Sequence, residues 1–199
     1  VAEFWTPRSK PKVPGTPAGF DSYWYNSMKG LASVANTYGK PFVGAEAFSG
    51  ARGWCDHPYT IKGMGDEAFT EGVSRYLYHI SSHQPYEHMK PGITHRQWGQ
   101  HFSRHQTWWD LSEPYHTYVT RCQTMLQQGR RVVDVACLYN EGAPLNFNCI
   151  DFGLPSGYDY DLCSPEIIQR MKVEEGRIVL PTGVNYRCLM VMPDRLTLP

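Results

Sequence analysis

Helix-like and strand-like patterns alternate along this chain, and the alternation limits the folds open to it. Apolar residues recur at helical spacing over residues 20–38, and a strand-like run follows over 42–45. A second helical pattern covers 60–71, and a second strand-like run covers 73–80. Strands that alternate with helices in this way predict an α/β fold with a parallel sheet.

The alternation continues through the second half of the chain. Ser112 is placed to cap a helix that ends at Gly129, and a nearly continuous apolar run over 132–139 is typical of a parallel strand buried on both faces. The later patterns predict a helix over 165–171 that Ser164 caps, and strands over 178–180 and 189–192. The sequence pattern therefore predicts the α/β class for both halves of the chain.

Composition excludes several classes of protein. The 199 residues are 41% hydrophobic, and they contain no run of 18 apolar residues that could span a membrane. Lys plus Arg and Asp plus Glu each total 19, so the zero net charge gives no electrostatic argument for a nucleic acid or an acidic membrane as partner. Because the chain begins at Val1 without Met and ends at Pro199, we expect it to be an internal piece of a longer protein.

The six cysteines are scattered and form no C-x-x-C pair, which argues against a zinc ribbon or a thioredoxin-like site. Cys137 and Cys188 lie in apolar strand-like runs, so we predict that both are buried free thiols. Disulfides among the other four cysteines remain open at this point.

One carboxylate stands out as a candidate for chemistry. The strand-like run over 42–45 leads directly to Glu46, and a loop with Ser and Gly follows. Catalytic groups collect at the C-terminal ends of strands in parallel sheets and barrels, so Glu46 is the leading catalytic candidate. A helix cap and an ion pair with Arg52 are the structural alternatives. Glu87 and Glu141 are weaker candidates for a catalytic carboxyl.

The region over 81–107 has no clean period, and its many His, Trp and Phe residues argue against disorder. His79 and His83 lie on and just beyond the preceding strand, and Gln84 follows them. Polar side chains at the end of a strand are placed to bind the hydroxyls of a sugar. The alternative is that the two histidines hold the long loop in place.

Four tryptophans could form a platform on which a sugar ring stacks, and we expect at least two of them to belong to the core instead. They are Trp54, Trp98, Trp108 and Trp109. Trp54 and Trp108 are taken as the binding candidates.

Other motifs give weaker signals. Asp159 and Asp161 could bind a cation, but two carboxylates do not define a metal site, and no H-E-x-x-H occurs, so no metal ligand is assigned. Asp66 and Glu67 are expected to cap a short helical turn. The absence of a nucleophile elbow, a P-loop and a dinucleotide motif argues against phosphoryl and hydride transfer.

Several segments, in this order and spacing, resemble glycoside hydrolase family 106, the α-L-rhamnosidase family. They cover residues 38–49, 65–75, 79–85, 91–94, 101–104, 107–109, 157–161 and 177–186. Each piece is short, and together they extend over most of the chain after about residue 23.

The resemblance implies an architecture. Residues 1–130 would form the C-terminal portion of a (β/α)8 TIM-like catalytic barrel, with Glu46 ending the seventh strand and 79–83 ending the eighth. Residues 131–199 would begin a flavodoxin-like or amidotransferase-like α/β domain.

It also implies an activity, the hydrolysis of terminal α-L-rhamnosyl linkages in polysaccharides or glycosides, with a carbohydrate as partner. Family 106 enzymes are inverting, so Glu46 would be the general base, and an acid on an earlier strand outside this chain would complete the pair. The chain alone is then expected to be inactive. Calcium dependence occurs in the family, and a periplasmic or secreted location is expected.

Two alternatives stay open. The parent protein could be a non-catalytic relative that binds carbohydrate, with Glu46 only accepting hydrogen bonds from hydroxyls. It could also be a retaining glycosidase of the β-galactosidase type, since those enzymes share the same order of domains.

Overall fold

The computed structural model describes residues 2–4, 22–49, 54–95, 99–139 and 153–191, with side chains from residue 28 onward in the first helix. Within these ranges the chain forms three three-stranded sheets and is an α/β structure, as the sequence predicts. No described helix has the length and apolarity needed to cross a membrane.

The first sheet is parallel and follows the order of the chain. It consists of β1 (Ala2–Phe4), β2 (Gly44–Ala47) and β3 (Arg75–Tyr78). Helix α1 (Ser22–Thr37) lies between β1 and β2 in sequence, and α2 (Pro58–Thr70) lies between β2 and β3. A 3-10 turn (Trp109–Leu111) and α3 (Glu113–Leu126) follow β3. This is the repeated strand–helix order that the sequence pattern predicts.

The two faces of the first sheet differ because side chains alternate along a strand. Ala45 pairs in register with Ala2 and Tyr76, and all three are buried on the helix side of the sheet. Glu46 pairs in register with Glu3 and Leu77, which share the opposite and more open face. The register therefore separates an apolar core from a row that carries two carboxylates.

The second sheet is also parallel and has β4 (Val135–Leu138) at its centre, between β5 (Tyr160–Cys163) and β9 (Cys188–Met190). The central strand is buried, as its apolar run predicts. Helix α4 (Pro165–Gln169) follows β5. A small antiparallel sheet consists of β6 (Lys172–Glu174), β7 (Arg177–Val179) and β8 (Asn185–Tyr186).

Three local predictions are wrong. Cys188 is exposed, although Cys137 is buried as expected. Ser112 makes no capping hydrogen bond with its side chain, because the 3-10 turn already leads into α3. Asp66 and Glu67 lie within α2 rather than at its start. By contrast, Ser164 does cap its helix, since its hydroxyl accepts a hydrogen bond from the Ile167 N–H.

Asp159 and Asp161, the weak cation-binding candidates, are paired with cations of the protein itself. Arg131 contacts both carboxylates at 2.5 Å, and Lys29 of α1 contacts Asp159 at 2.6 Å. Asn36 of α1 donates a hydrogen bond to Asp161 at 2.6 Å. This network ties α1 to the second sheet.

Asp161 is fully buried, and burial raises the pKa of its carboxyl, while the charge of Arg131 and hydrogen bonds from Asn36 and Tyr186 oppose that rise. A carboxylate in such a place depends on its partners, since a buried charge without them is costly. The network is therefore a stability determinant rather than a binding site.

Arg131→Met tests that role, because the substitution keeps an apolar stem but removes the cation from Asp161. We expect the local free energy of unfolding to fall by about 3 kcal/mol, as for other buried pairs that lose one partner. Faster hydrogen exchange over peptides from α1 and β5 in the full-length protein would report the loss. Arg170→Met is the matched control, since Arg170 pairs with Glu166 on the surface and should contribute little. Equal exchange in both variants would contradict the assignment.

Candidate active site

Glu46 is the third residue of β2 and projects from the more open face of the first sheet. Its side chain is 40% exposed, and its Oε1 accepts a hydrogen bond from the Ser49 hydroxyl at 2.7 Å. Because Glu46 lies within a strand, it does not cap a helix in the described part of the chain. Arg52, the proposed ion-pair partner, lies outside the described residues.

The turn after β2 carries an unusual backbone conformation. Phe48 has a φ of 65° and is fully buried, with its ring 5.0 Å from that of Phe4 and 5.8 Å from that of Tyr76. A bulky residue at positive φ is disfavoured, so packing of the ring must offset the cost. Directly after Phe48, the Ser49 hydroxyl contacts Glu46, and the Ser49 N–H donates to the Phe4 carbonyl at 3.2 Å.

His79 follows β3 directly and lies beside Glu46. Its Nε2 is 4.0 Å from Glu46 Oε1, and its backbone N–H donates to the Ala47 carbonyl at 3.0 Å. Its Nδ1 is buried and has no hydrogen-bond partner among the described residues. The two strand ends thus place an imidazole and a carboxylate side by side.

Residues 99–102 tie the ends of β2 and β3 together. The Gln100 N–H donates to the carbonyls of Phe48 and His79, at 3.2 and 2.8 Å. In return, the Gln100 carbonyl accepts from Ile80 at 2.7 Å, and the Gly99 N–H donates to the Ser49 carbonyl at 3.3 Å. The part of the predicted long loop that returns to the sheet is therefore an ordered support for the site.

Trp54 and His101 form the aromatic side of this region. Their ring centroids are 4.5 Å apart, and the indole is 36% exposed whereas the imidazole is only 4% exposed. Burial lowers the pKa of His101, and the nearby His79 and His95 lower it further, so this imidazole favours its neutral form. Trp54 keeps an accessible face, as stacking on a sugar requires.

Trp108 has a different environment from Trp54. Its Nε1–H donates to the Asp56 carbonyl at 3.0 Å, and its ring packs against Phe102. Trp109, like Trp108, is partly buried and packs against the core. Trp98 lies outside the described residues.

The remaining sequence candidates lie in the outer part of the loop. The amide of Gln84 makes two hydrogen bonds with the backbone of Ile93, so both of its polar atoms already support the loop. His83 is exposed and makes no hydrogen bond or ring contact with the described residues. Glu87 is exposed in the same loop, and Glu141 is outside the described ranges. Roles of His83 and Gln84 in binding therefore stay predictions.

Sequence reasoning missed three residues of this region, namely Glu3, Ser49 and His101. Glu3 is the in-register neighbour of Glu46 on β1, a strand too short to show a pattern. Ser49 is three residues after Glu46, but only the positive φ of Phe48 makes their contact evident. His101 was one of five loop histidines with nothing to distinguish it.

A metal centre is not apparent here. The described residues contain no group of three or more His, Cys, Asp or Glu side chains arranged to hold a metal ion. Asp159 and Asp161 are committed to Arg131 and Lys29. The described residues therefore do not fit the calcium ion that the resemblance implies, and we derive no step through it.

Comparison with known proteins identifies the family. A family model of glycoside hydrolases, described as alpha-L-rhamnosidase and numbered 106, matches residues 1–199. The chain belongs to this family, which confirms the resemblance seen in the sequence.

Two similar proteins bear on the interpretation. The solved structure of a rhamnosidase from Novosphingobium sp. PP1Y matches 98% of this chain with a TM-score of 0.84 and 30% identity, and the chain covers 18% of it. A Formosa agariphila protein named "Putative beta-glucuronidase" is 36% identical over 168 residues, which are 84% of this chain and 14% of that protein. The chain thus spans less than a fifth of either protein.

Gly99→Ala tests the tie between the two strand ends. Gly99 has a φ of 77°, and an added Cβ would lie 2.3 Å from His79 Nδ1. Because left-handed backbone costs a non-glycine residue about 1–2 kcal/mol and the contact is too short, we expect residues 99–102 to leave the strand ends. Limited proteolysis of the full-length protein should then cut faster within 80–105. Gly129→Ala is the control, since its Cβ would meet no atom within 4 Å. Equal cleavage rates would show that the segment tolerates the change.

Proposed function

We propose that the protein to which this chain belongs hydrolyses terminal α-L-rhamnosyl linkages in polysaccharides or glycosides, and that Glu46 is its general base. The observation that carries the proposal is the position of Glu46 at the end of β2, on the open face of a parallel sheet, in a chain of the alpha-L-rhamnosidase family. A half-exposed carboxylate with one oxygen already hydrogen-bonded is both oriented and accessible.

The chemistry follows the inverting scheme. The ionised Glu46 takes a proton from a water molecule while the water oxygen bonds to the anomeric carbon. The bond from that carbon to the glycosidic oxygen breaks, and a second carboxyl group gives its proton to the departing oxygen. We place that acid on an earlier strand outside this chain, at the distance of about 6.5–9.5 Å that leaves room for a water between an inverting pair.

The architecture of the first sheet supports a barrel. Three parallel strands in chain order, each followed by a helix, are the repeating unit of a (β/α)8 barrel. We therefore assign residues 1–130 to the end of the catalytic barrel, in which the face with Glu3 and Glu46 would be the inner one. This assignment explains why charged residues occupy one face of an otherwise apolar sheet.

The second sheet supports a flavodoxin-like or amidotransferase-like domain over residues 131–199. Its parallel strands lie in the order β5–β4–β9, with the first of them in sequence at the centre. A second–first–third order is the one found at the start of flavodoxin-like sheets. The two domains would then meet along α1, through Lys29 and Asn36.

We assign the sugar contacts to Trp54, His79, His83, Gln84 and Trp108. Trp54 has the accessible ring face, and His79 lies 4.0 Å from Glu46. Trp108 and Gln84 already make hydrogen bonds within the protein. Trp108 would therefore contact the sugar with its ring, and Gln84 would act by holding the loop in position. A location in the periplasm or outside the cell suits a protein that acts on polysaccharides, and we include it in the proposal.

A retaining mechanism is the second candidate, and one observation favours it. Glu3 and Glu46 are in-register neighbours on adjacent strands, which lie about 4.8 Å apart. Retaining enzymes hold their carboxyl groups about 5–5.5 Å apart, closer than inverting ones. Because the Formosa agariphila relative is named "Putative beta-glucuronidase", a β-D-glucuronide is also to be tested.

Glu46→Gln in the full-length protein tests the central assignment. The amide keeps the shape but cannot take a proton, so we expect kcat to fall by at least about 100-fold on an aryl α-L-rhamnoside. Glu67→Gln, on the exposed side of α2, is the matched control and should keep wild-type kcat. The thermal unfolding midpoints of both variants should match the wild type. Full activity of Glu46→Gln would remove Glu46 from the mechanism.

The first sugar product distinguishes the two mechanisms. Proton NMR at early times should show β-L-rhamnose from an α-linked substrate if the enzyme inverts the anomeric centre. α-L-Rhamnose would instead establish retention and direct attention to Glu3. Binding of rhamnosides without hydrolysis by the wild type would identify the protein as a non-catalytic carbohydrate-binding relative.

A further inference from the structure

We propose that Ser49 is a positioning residue for Glu46, which fixes Oε1 and leaves Oε2 as the oxygen that takes the proton from water. The inference rests on the proposed function and adds to it a residue and an atom. Its basis is the 2.7 Å hydrogen bond from the Ser49 hydroxyl to Glu46 Oε1. An ionised carboxylate can only accept hydrogen bonds, so the Ser49 hydroxyl donates this one.

Ser49 is held more firmly than a surface serine. The residue is only 2% exposed, its N–H donates to the Phe4 carbonyl, and its own carbonyl accepts from the Gly99 N–H. These two backbone bonds link it to β1 on one side and to the segment 99–102 on the other. The hydroxyl is therefore fixed before substrate arrives, which is what positioning requires.

Both neighbours of the Glu46 carboxyl lie at the same oxygen. Ser49 Oγ is 2.7 Å from Oε1, and His79 Nε2 is 4.0 Å from it. Glu46 is nevertheless 40% exposed, so the carboxyl as a whole still reaches solvent. With Oε1 held in this way, rotation about the last side-chain bond is restricted, and Oε2 makes no hydrogen bond to the described residues.

The unusual backbone conformation of Phe48 is linked to the position of the Ser49 hydroxyl. Its φ of 65° is disfavoured for a bulky residue, and the same turn carries the hydroxyl of Ser49 back to the strand. Disfavoured backbone next to a candidate catalytic group is retained where the surrounding structure holds it, and here the buried aromatic ring does so. The strained turn and the hydrogen bond thus have one common consequence, the orientation of Glu46.

Three substitutions in the full-length protein isolate the hydroxyl. Ser49→Ala should lower kcat about 10-fold and leave KM within about twofold, since the group acts on Glu46 rather than on the sugar. Ser49→Thr and Ser49→Val have nearly the same shape and differ in the hydroxyl alone. We expect Ser49→Thr to exceed Ser49→Val in kcat about 10-fold, with equal thermal unfolding midpoints. Because both carry the same added bulk, any packing defect cancels in the comparison.

The outcomes separate this inference from the proposed function. The variants are assayed beside Glu46→Gln on a panel of aryl α-L-rhamnoside, β-D-glucuronide and β-D-galactoside, using whichever the wild type cleaves. Equal kcat for Ser49→Thr and Ser49→Val, or a change confined to KM, would overturn the role of Ser49 while an inactive Glu46→Gln upholds the base. An active Glu46→Gln, or no cleavage of any substrate by the wild type, would overturn both.

Discussion

The parallel register of β1, β2 and β3 is the constraint on which the rest of the site depends. Because side chains alternate along a strand, a slip of one residue would turn Glu46 into the aromatic core and Ala45 out to solvent. Burying an ionised carboxylate among Phe4 and Tyr76 would be far more costly than any gain in pairing. The buried alanines and the aromatic residues therefore fix the side of the sheet on which the carboxylate lies.

The same aromatic core supports the turn beyond β2. Phe48 contributes a buried ring to the cluster, and its burial offsets a backbone conformation that would otherwise be avoided. Without the ring, the chain would be free to leave β2 in a more common conformation, and Ser49 would not return to Glu46. Phe48 thus couples the hydrophobic core to the polar site, because packing of its ring holds the backbone conformation in which Ser49 contacts Glu46.

The sequence predicts the parts of the site that depend on local pattern. Helix α1, the strand with Glu46 and the placement of His79 follow from apolar spacing, which reports which face of an element is buried. Strand β5 escaped this reasoning, because a fully buried Asp161 stands where the pattern expects an apolar residue. Its partners Arg131 and Asn36 lie 30 and 125 residues away in sequence, so their contact becomes apparent only in the folded chain.

Ser49 shows a second limit of sequence reasoning. A serine three residues after a glutamate is common, and in an extended strand the two side chains would be about 10 Å apart along the chain and on opposite faces. They meet because the backbone leaves the extended conformation at Phe48, a bulky residue that statistics would not place at positive φ. Where packing holds an unfavourable local conformation, local preference predicts the wrong geometry, and such a departure directs attention to the residues around it.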